Sequence, residues 1–88
     1  MTRLYLTVKG LVQGVGFRWF VRGRAEELGL SGWVRNREDG TVEAEVEGDA
    51  QAVNAFLESL RRDHPTARVD SIDRRPIAAQ GDRGFAVR

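Results

Sequence analysis

The sequence predicts an α+β fold in the order strand, helix, strand, strand, helix, strand, with an antiparallel sheet covered on one face by two helices. Three observations predict it. Apolar and polar residues alternate in Arg3–Lys9 and Thr41–Glu47. Apolar residues recur at helical spacing from Phe17 and again after Asp49. Glycine, proline and an Asp-Gly pair punctuate the boundaries between these stretches.

The first strand, Arg3–Lys9, sets Leu4, Leu6 and Val8 on one side and Arg3, Tyr5, Thr7 and Lys9 on the other. The first helix starts at Phe17, carries Phe20, Val21, Ala25 and Leu28 on the same apolar stripe, and stops at Gly29, the residue type that most readily takes a helix-ending left-handed turn. Leu30–Asn36 forms the second strand. The turn Arg37-Glu38-Asp39-Gly40 joins it to a third, Thr41–Glu47. There Val42, Ala44 and Val46 face the core, while Glu43, Glu45 and Glu47 form an acidic row expected to lie in solvent. Asp49 is the N-cap of a second helix with Val53, Phe56, Leu57 and Leu60 on its stripe; Arg61 and Arg62 complement its C-terminal dipole, and His64-Pro65 ends it. Val69–Arg74 is a weaker strand, since Val69 and Ile72 fall on opposite parities, which a β-bulge reconciles. Phe85–Val87 adds a short terminal strand. This is the ferredoxin-like βαββαβ sandwich of two layers, a single domain over residues 1–88.

Composition narrows the function. Fourteen basic and thirteen acidic residues leave a net charge of +1 with no run of five or six like charges, which argues against a nucleic acid or a membrane surface as partner. No stretch is long and apolar enough to span a bilayer, and Met1–Lys9 lacks the features of a signal peptide, so a cytoplasmic location is expected. Without cysteine there is no disulfide, thiol nucleophile or thiolate metal ligand. His64, the one histidine, falls in a loop remote from the site described next; no metal site is visible and no cofactor is expected. Trp19 and Trp33 could flank a ligand, but in so small a core they are expected to pack across helix and sheet.

Gly10–Arg18, GLVQGVGFR, carries glycine at positions 10, 14 and 16 between a strand and a helix. Such a loop brings backbone N–H groups close to an anion at a helix N-terminus, although glycine spacing alone fits a tight turn equally well. Arg18 shifts that balance, because a cation in the first helical turn opposes the helix dipole unless an anion sits between them. No Gly-Lys-Ser/Thr follows, so the loop is not a Walker motif. The element order directs the first and second strands the same way, which puts Asn36 at the sheet edge that bears the loop. An asparagine there is suited to orienting a water, though asparagine before a turn is also an ordinary structural choice.

Two segments, VKGLVQGVGFR (Val8–Arg18) and GWVRNREDGTVEAEVEG (Gly32–Gly48), resemble the acylphosphatase family, and the likeness runs through nearly all 88 residues, including Gly84 and Phe85. The resemblance implies hydrolysis of the carboxyl–phosphate anhydride of a small acyl phosphate to a carboxylate and inorganic phosphate. It further implies that Arg18 and the loop amides of Gln13, Gly14, Val15, Gly16, Phe17 and Arg18 bind the phosphoryl group, while Asn36 positions the attacking water. The missing histidine or cysteine nucleophile fits this chemistry: the leaving carboxylate has a conjugate acid of pKa about 4, so no general acid is needed. A metal-independent, monomeric enzyme is expected, with inorganic phosphate as product or inhibitor. Two other readings are a non-catalytic phosphate- or carbamoyl-phosphate-binding module and an RNA-binding sheet. The second lacks the aromatic RNA-binding signature and carries the acidic row of Glu43, Glu45 and Glu47.

Overall fold

A computed structural model describes all 88 residues, Met1–Arg88. The elements are β1 (Thr2–Leu11), α1 (Phe17–Glu27), β2 (Ser31–Asn36), β3 (Val42–Gly48), α2 (Ala50–Arg62), β4 (Arg68–Ile77) and β5 (Phe85–Val87), with the strands ordered β4-β1-β3-β2-β5. β1, β3, β2 and β4 pair antiparallel as expected, whereas β5 runs parallel to β2, so the sheet is mixed. The reason is connectivity. After β4 the chain crosses the outer sheet face to reach β2, and β5 therefore lies along β2 in the same direction. No helix is long and apolar enough to cross a membrane.

The periodicities convert directly into packing. Leu4, Leu6 and Val8 of β1, Val34 of β2, and Val42, Ala44 and Val46 of β3 bury against Phe17, Val21 and Ala25 of α1 and Val53, Phe56, Leu57 and Leu60 of α2, in one apolar cluster with Val12, Leu30 and Phe85. Fully burying a side chain of this size is worth about 1.5–3 kcal/mol, so this cluster is the main source of stability. Asp49 caps α2 by accepting from the Gln51 N–H. β4 is longer than the sequence pattern suggests, because its charged residues sit on a sheet edge where alternation is weak. The bulge lies at Asp70: Lys9 pairs with Ser71 and Gly10 with Val69. That extra residue returns Val69 and Ile72 to one face, where both pack on the core. Gly10 is required at the bulge, since at φ 134° a Cβ there would stand 2.0 Å from the Arg68 carbonyl oxygen.

The outer sheet face departs from expectation. Glu43 and Glu47 are buried, as is Arg3. Arg3 pairs with Glu45 at 2.7 Å, Glu47 at 3.2 Å and Asp82 at 3.0 Å, and Glu47 also accepts from the Gln80 and Gly81 N–H groups. The segment between β4 and β5 thus lies over the row of glutamates and turns a solvated face into a buried ionic layer. The Gln80 N–H, supported by Arg3 and the Gly81 N–H, holds the Glu47 carboxyl below the usual range despite its burial. At the other end of the row Glu43 accepts from the Tyr5 hydroxyl and from Arg35 Nε, with Arg37 Nη1 at 3.9 Å. Burial pushes the Glu43 carboxyl up, but Tyr5 and the arginines outweigh it and keep it low; the same bond to Glu43 raises the Tyr5 phenol.

Neither tryptophan packs between helix and sheet. Trp19 is 60% exposed, because it lies off the α1 stripe of Phe17, Val21 and Ala25. Trp33 lies on the outer face between the guanidinium groups of Arg35 and Arg88, 5.5 and 4.8 Å from its ring. His64 is also closer to the loop than expected. α2 ends at the edge where α1 begins, so the His64 ring sits 6.0 Å from Phe17 and 5.1 Å from Phe20, its Nδ1 accepting from the Thr66 and Ala67 N–H groups.

Candidate active site

β1 and β2 are both antiparallel to β3, so their C-terminal ends share one edge of the sheet. The chain leaves β1 at Leu11, loops through Val12–Gly16 and enters α1 at Phe17, while β2 ends at Asn36. Val12, Gly14, Gly16, Phe17, Arg18, Trp19 and Asn36 line a cleft of about 260 Å³ at this edge. The sequence-predicted pair, Arg18 and Asn36, therefore faces one space, with the loop glycines between them.

The loop holds its shape through backbone conformation. Gly14 and Gly16 take φ values of 75° and 74°, with nothing within 4 Å of where a Cβ would lie. They are glycine for the turn itself, since a side chain would strain it by about 1–2 kcal/mol each. Val15 packs on the core and the Phe17 ring is buried in it, which pins the loop. α1 has no side-chain cap and no acidic residue in its first turn. Its first intrahelical bond runs from the Phe20 N–H to the Gly16 carbonyl, and none of the N–H groups from Gln13 to Trp19 donates to a protein acceptor. Seven donors are therefore concentrated at a helix N-terminus, an arrangement suited to an oxyanion.

Arg18 is partly exposed and forms no ion pair; its one hydrogen bond, from Nη1 to the Arg88 main-chain oxygen, is 3.5 Å long. Seven of the thirteen arginines pair with carboxylates; Arg18 does not, and its fork is free to bind something else. Asn36 Oδ1 is buried without a hydrogen-bond partner. An acceptor left in that state costs stability and marks a position shaped for a donor from outside the chain. No carboxylate lines the cleft and no cluster of potential metal ligands occurs in the chain.

The other predicted ligand-binding residues divide. Gly14, Gly16 and Phe17 line the cleft and offer it only main-chain groups, whereas Gln13 and Val15 are not part of its lining. The Gln13 side chain points away from the loop and donates from Nε2 to the Arg37 carbonyl at 2.7 Å and the Thr41 carbonyl at 2.9 Å. Trp19 joins the cleft wall, the less expected of the two roles open to it in the sequence, and its place off the apolar stripe of α1 is the signal that favours it.

Fold and cleft together define a ferredoxin-like α+β domain with an amide-lined anion cradle at one sheet edge. The acylphosphatase family model matches residues 4–87. An acylphosphatase of Methylococcus capsulatus is 49% identical over 88 residues, covering 99% of this chain and 96% of the relative. The crystal structure of an acylphosphatase from Bacillus subtilis superposes with a TM-score of 0.95 at 38% identity, covering 99% of this chain and 98% of that one. A carbamoyltransferase HypF2 of Cupriavidus necator is 53% identical over 87 residues, which are 97% of this chain but 11% of that protein. The chain belongs to the acylphosphatase family, and it is an enzyme of that family, a hydrolase whose substrate class is the small acyl phosphates.

Proposed function

We propose that the chain, as one domain acting as a monomer, hydrolyses the carboxyl–phosphate anhydride without a metal, Arg18 and the Gln13–Arg18 amides binding the phosphoryl group and Asn36 orienting the water. The observation that carries this reading is the shared cleft. Free loop amides and an unpaired arginine occupy one side, and a buried, unpartnered carbonyl oxygen occupies the other. Every group the reaction needs comes from a single chain.

In this reading the phosphoryl oxygens sit in the amide cradle, where the α1 dipole and the Arg18 fork offset their charge. A water donates a hydrogen bond to Asn36 Oδ1 and attacks phosphorus opposite the acyl oxygen. The new P–O bond forms as the bond to the acyl oxygen breaks, the carboxylate leaves with the electron pair, and the water proton passes to a phosphoryl oxygen of the substrate. No protein base is needed, in keeping with a cleft that holds no titratable group other than Arg18. The lack of carboxylates in the cleft supports metal independence, since a magnesium ion is normally held by them.

The test is hydrolysis of benzoyl phosphate by the wild type and Asn36→Ala, with and without a chelator. Asn36→Ala should bind inorganic phosphate normally yet lose about 100-fold or more in kcat, the scale of a misplaced reactant or a missing transition-state partner. The chelator should leave the wild-type rate unchanged. A wild-type rate no faster than buffer would sink the proposal. It would instead favour a binding module, the reading suggested by the match to part of the HypF2 carbamoyltransferase.

A further inference from the structure

The Asn36 side-chain oxygen accepts no hydrogen bond within the protein. With no hydrogen bond to fix that oxygen, its position in the cleft depends on packing and on the backbone that carries it, and so on whatever holds Arg35–Arg37 against the loop. Two devices do so. On the outer face, Glu43 receives Arg35 and attracts Arg37, the two neighbours of Asn36. At the cleft edge, Gln13 Nε2 bonds the carbonyls of Arg37 and Thr41, which form the mouth of the β2–β3 hairpin immediately beyond Asn36. Of the two, the Gln13 amide alone spans the gap between the loop and the hairpin, uniting sequence positions 24 and 28 residues apart.

Building on the acylphosphatase reading, we propose that Gln13 is a positioning residue for catalysis: its side-chain amide locks the phosphoryl-binding loop to the backbone carrying Asn36, keeping the oriented water in line with the bound phosphorus. The side chain contributes nothing to phosphate affinity. Its two donors are engaged by carbonyls, and phosphate binding belongs to the main-chain amides and Arg18. Loop and Asn36 reside on different elements, and a shift between them disturbs the angle of attack while leaving each half intact. A displacement of about 1 Å in such an alignment costs on the order of 100-fold in rate.

The test uses the full chain with Gln13→Ala and Gln13→Glu, folding being verified by circular dichroism and a cooperative thermal transition. Gln13→Ala should lose about 10- to 100-fold in kcat on benzoyl phosphate while its inorganic phosphate affinity changes less than about threefold. Combined with Asn36→Ala it should add little, because both act on the same alignment. In Gln13→Glu an ionised carboxylate faces two carbonyl oxygens, whereas a protonated one donates to one of them. Its kcat relative to the wild type should therefore rise as pH falls through the carboxyl titration. A readout independent of turnover is the Asn36 side-chain amide signal in NMR, which should move on phosphate addition in the wild type and lose that response in Gln13→Ala. Wild-type kcat in Gln13→Ala, a parallel loss of phosphate affinity, additivity with Asn36→Ala, or an unchanged Asn36 response would each overturn the proposal. A wild type without turnover would refute the hydrolytic reading alone, the amide response still deciding whether Gln13 couples the two halves.

Discussion

Replacing Arg18 by alanine removes the one charged group in the cleft and leaves the amide cradle and the α1 dipole in place. A hydrogen bond to a charged group is worth about 1.5–3 kcal/mol, which predicts phosphate binding about 10- to 150-fold weaker in Arg18→Ala. Within the protein the substitution breaks only the long hydrogen bond from Nη1 to the Arg88 main-chain oxygen and removes a cation that the helix dipole disfavours by about 0.3–1 kcal/mol, so the free chain should keep or slightly gain stability. This makes thermal denaturation with inorganic phosphate a clean assay. At about 100 times its Kd, phosphate stabilises the native state by about 2.7 kcal/mol, equivalent to about 11–22 °C in Tm for a chain of this size. The same concentration gives Arg18→Ala about 1.4 kcal/mol if binding is tenfold weaker and about 0.4 kcal/mol if it is a hundredfold weaker. Arg18→Lys keeps the charge without the planar fork and should fall between. A Tm rise in Arg18→Ala equal to that of the wild type would refute the assignment of Arg18 to the phosphoryl group.

Three further outcomes follow from the same geometry. Gly10→Ala puts a Cβ 2.0 Å from the Arg68 carbonyl oxygen at φ 134°, and should cost about 3 kcal/mol or more in urea denaturation. Gly16→Ala meets only the strain of φ 74° and should cost about 1–2 kcal/mol; the reverse order would show that the bulge is not what fixes β1 against β4. Trp19→Ala should raise KM for benzoyl phosphate about 2- to 12-fold with acetyl phosphate unaffected, as an exposed ring on the cleft wall stacks only on an aromatic acyl group; equal effects on both substrates would contradict this. Glu43 and Glu47 both have carboxyls held below their unfolded values, so their stabilisation is complete above the unfolded range near about 4.3 and is lost as pH falls below it toward the folded values. Tm should therefore drop between about pH 4.5 and 3 and drop less in Glu47→Gln, whereas a flat profile would deny the outer ionic layer a role.

The parts of the fold legible in the sequence were those written in local periodicity. The stripe of α2 and the alternation of β1 and β3 became core faces residue for residue; the stripe of α1 did so at Phe17, Val21 and Ala25, with Phe20 and Leu28 packed partly buried against it, and the parity break between Val69 and Ile72 became the bulge at Asp70. What was not legible depends on partners distant in the chain. Alternation assigns Glu43, Glu45 and Glu47 to the polar face, but whether that face is wet depends on Arg3 and on the segment around Gln80–Asp82, more than thirty residues away. The parallel direction of β5 is set by its crossing from β4, and three residues are too few to record it. At the site, the loop and Asn36 could be brought to one edge by topology alone. The Gln13 side chain could not be separated from its main chain, because sequence does not say which of two amides faces the ligand.

The two helices show how the same chain treats an N-terminus that carries only structure and one that the proposed reading assigns to a ligand. α2 begins with Asp49, whose carboxylate accepts from the Gln51 N–H, the usual way to satisfy an exposed donor. α1 begins at Gly16 with no side-chain cap and no acid in its first turn, and places Arg18 where the dipole disfavours a cation. A glycine N-cap in place of a capping side chain costs a few tenths of a kcal/mol and a charge of the wrong sign about 0.3–1 kcal/mol, so the unliganded helix start is less stable than it need be. A bound phosphoryl group reverses both terms at once, accepting from the amides and standing between the dipole and Arg18. Part of the stability withheld from the free helix thus reappears as affinity for the anion. Because Gly16 is held at φ 74°, where a side chain is strained and cannot take the extended conformation of a cap, the chain itself keeps these amides open.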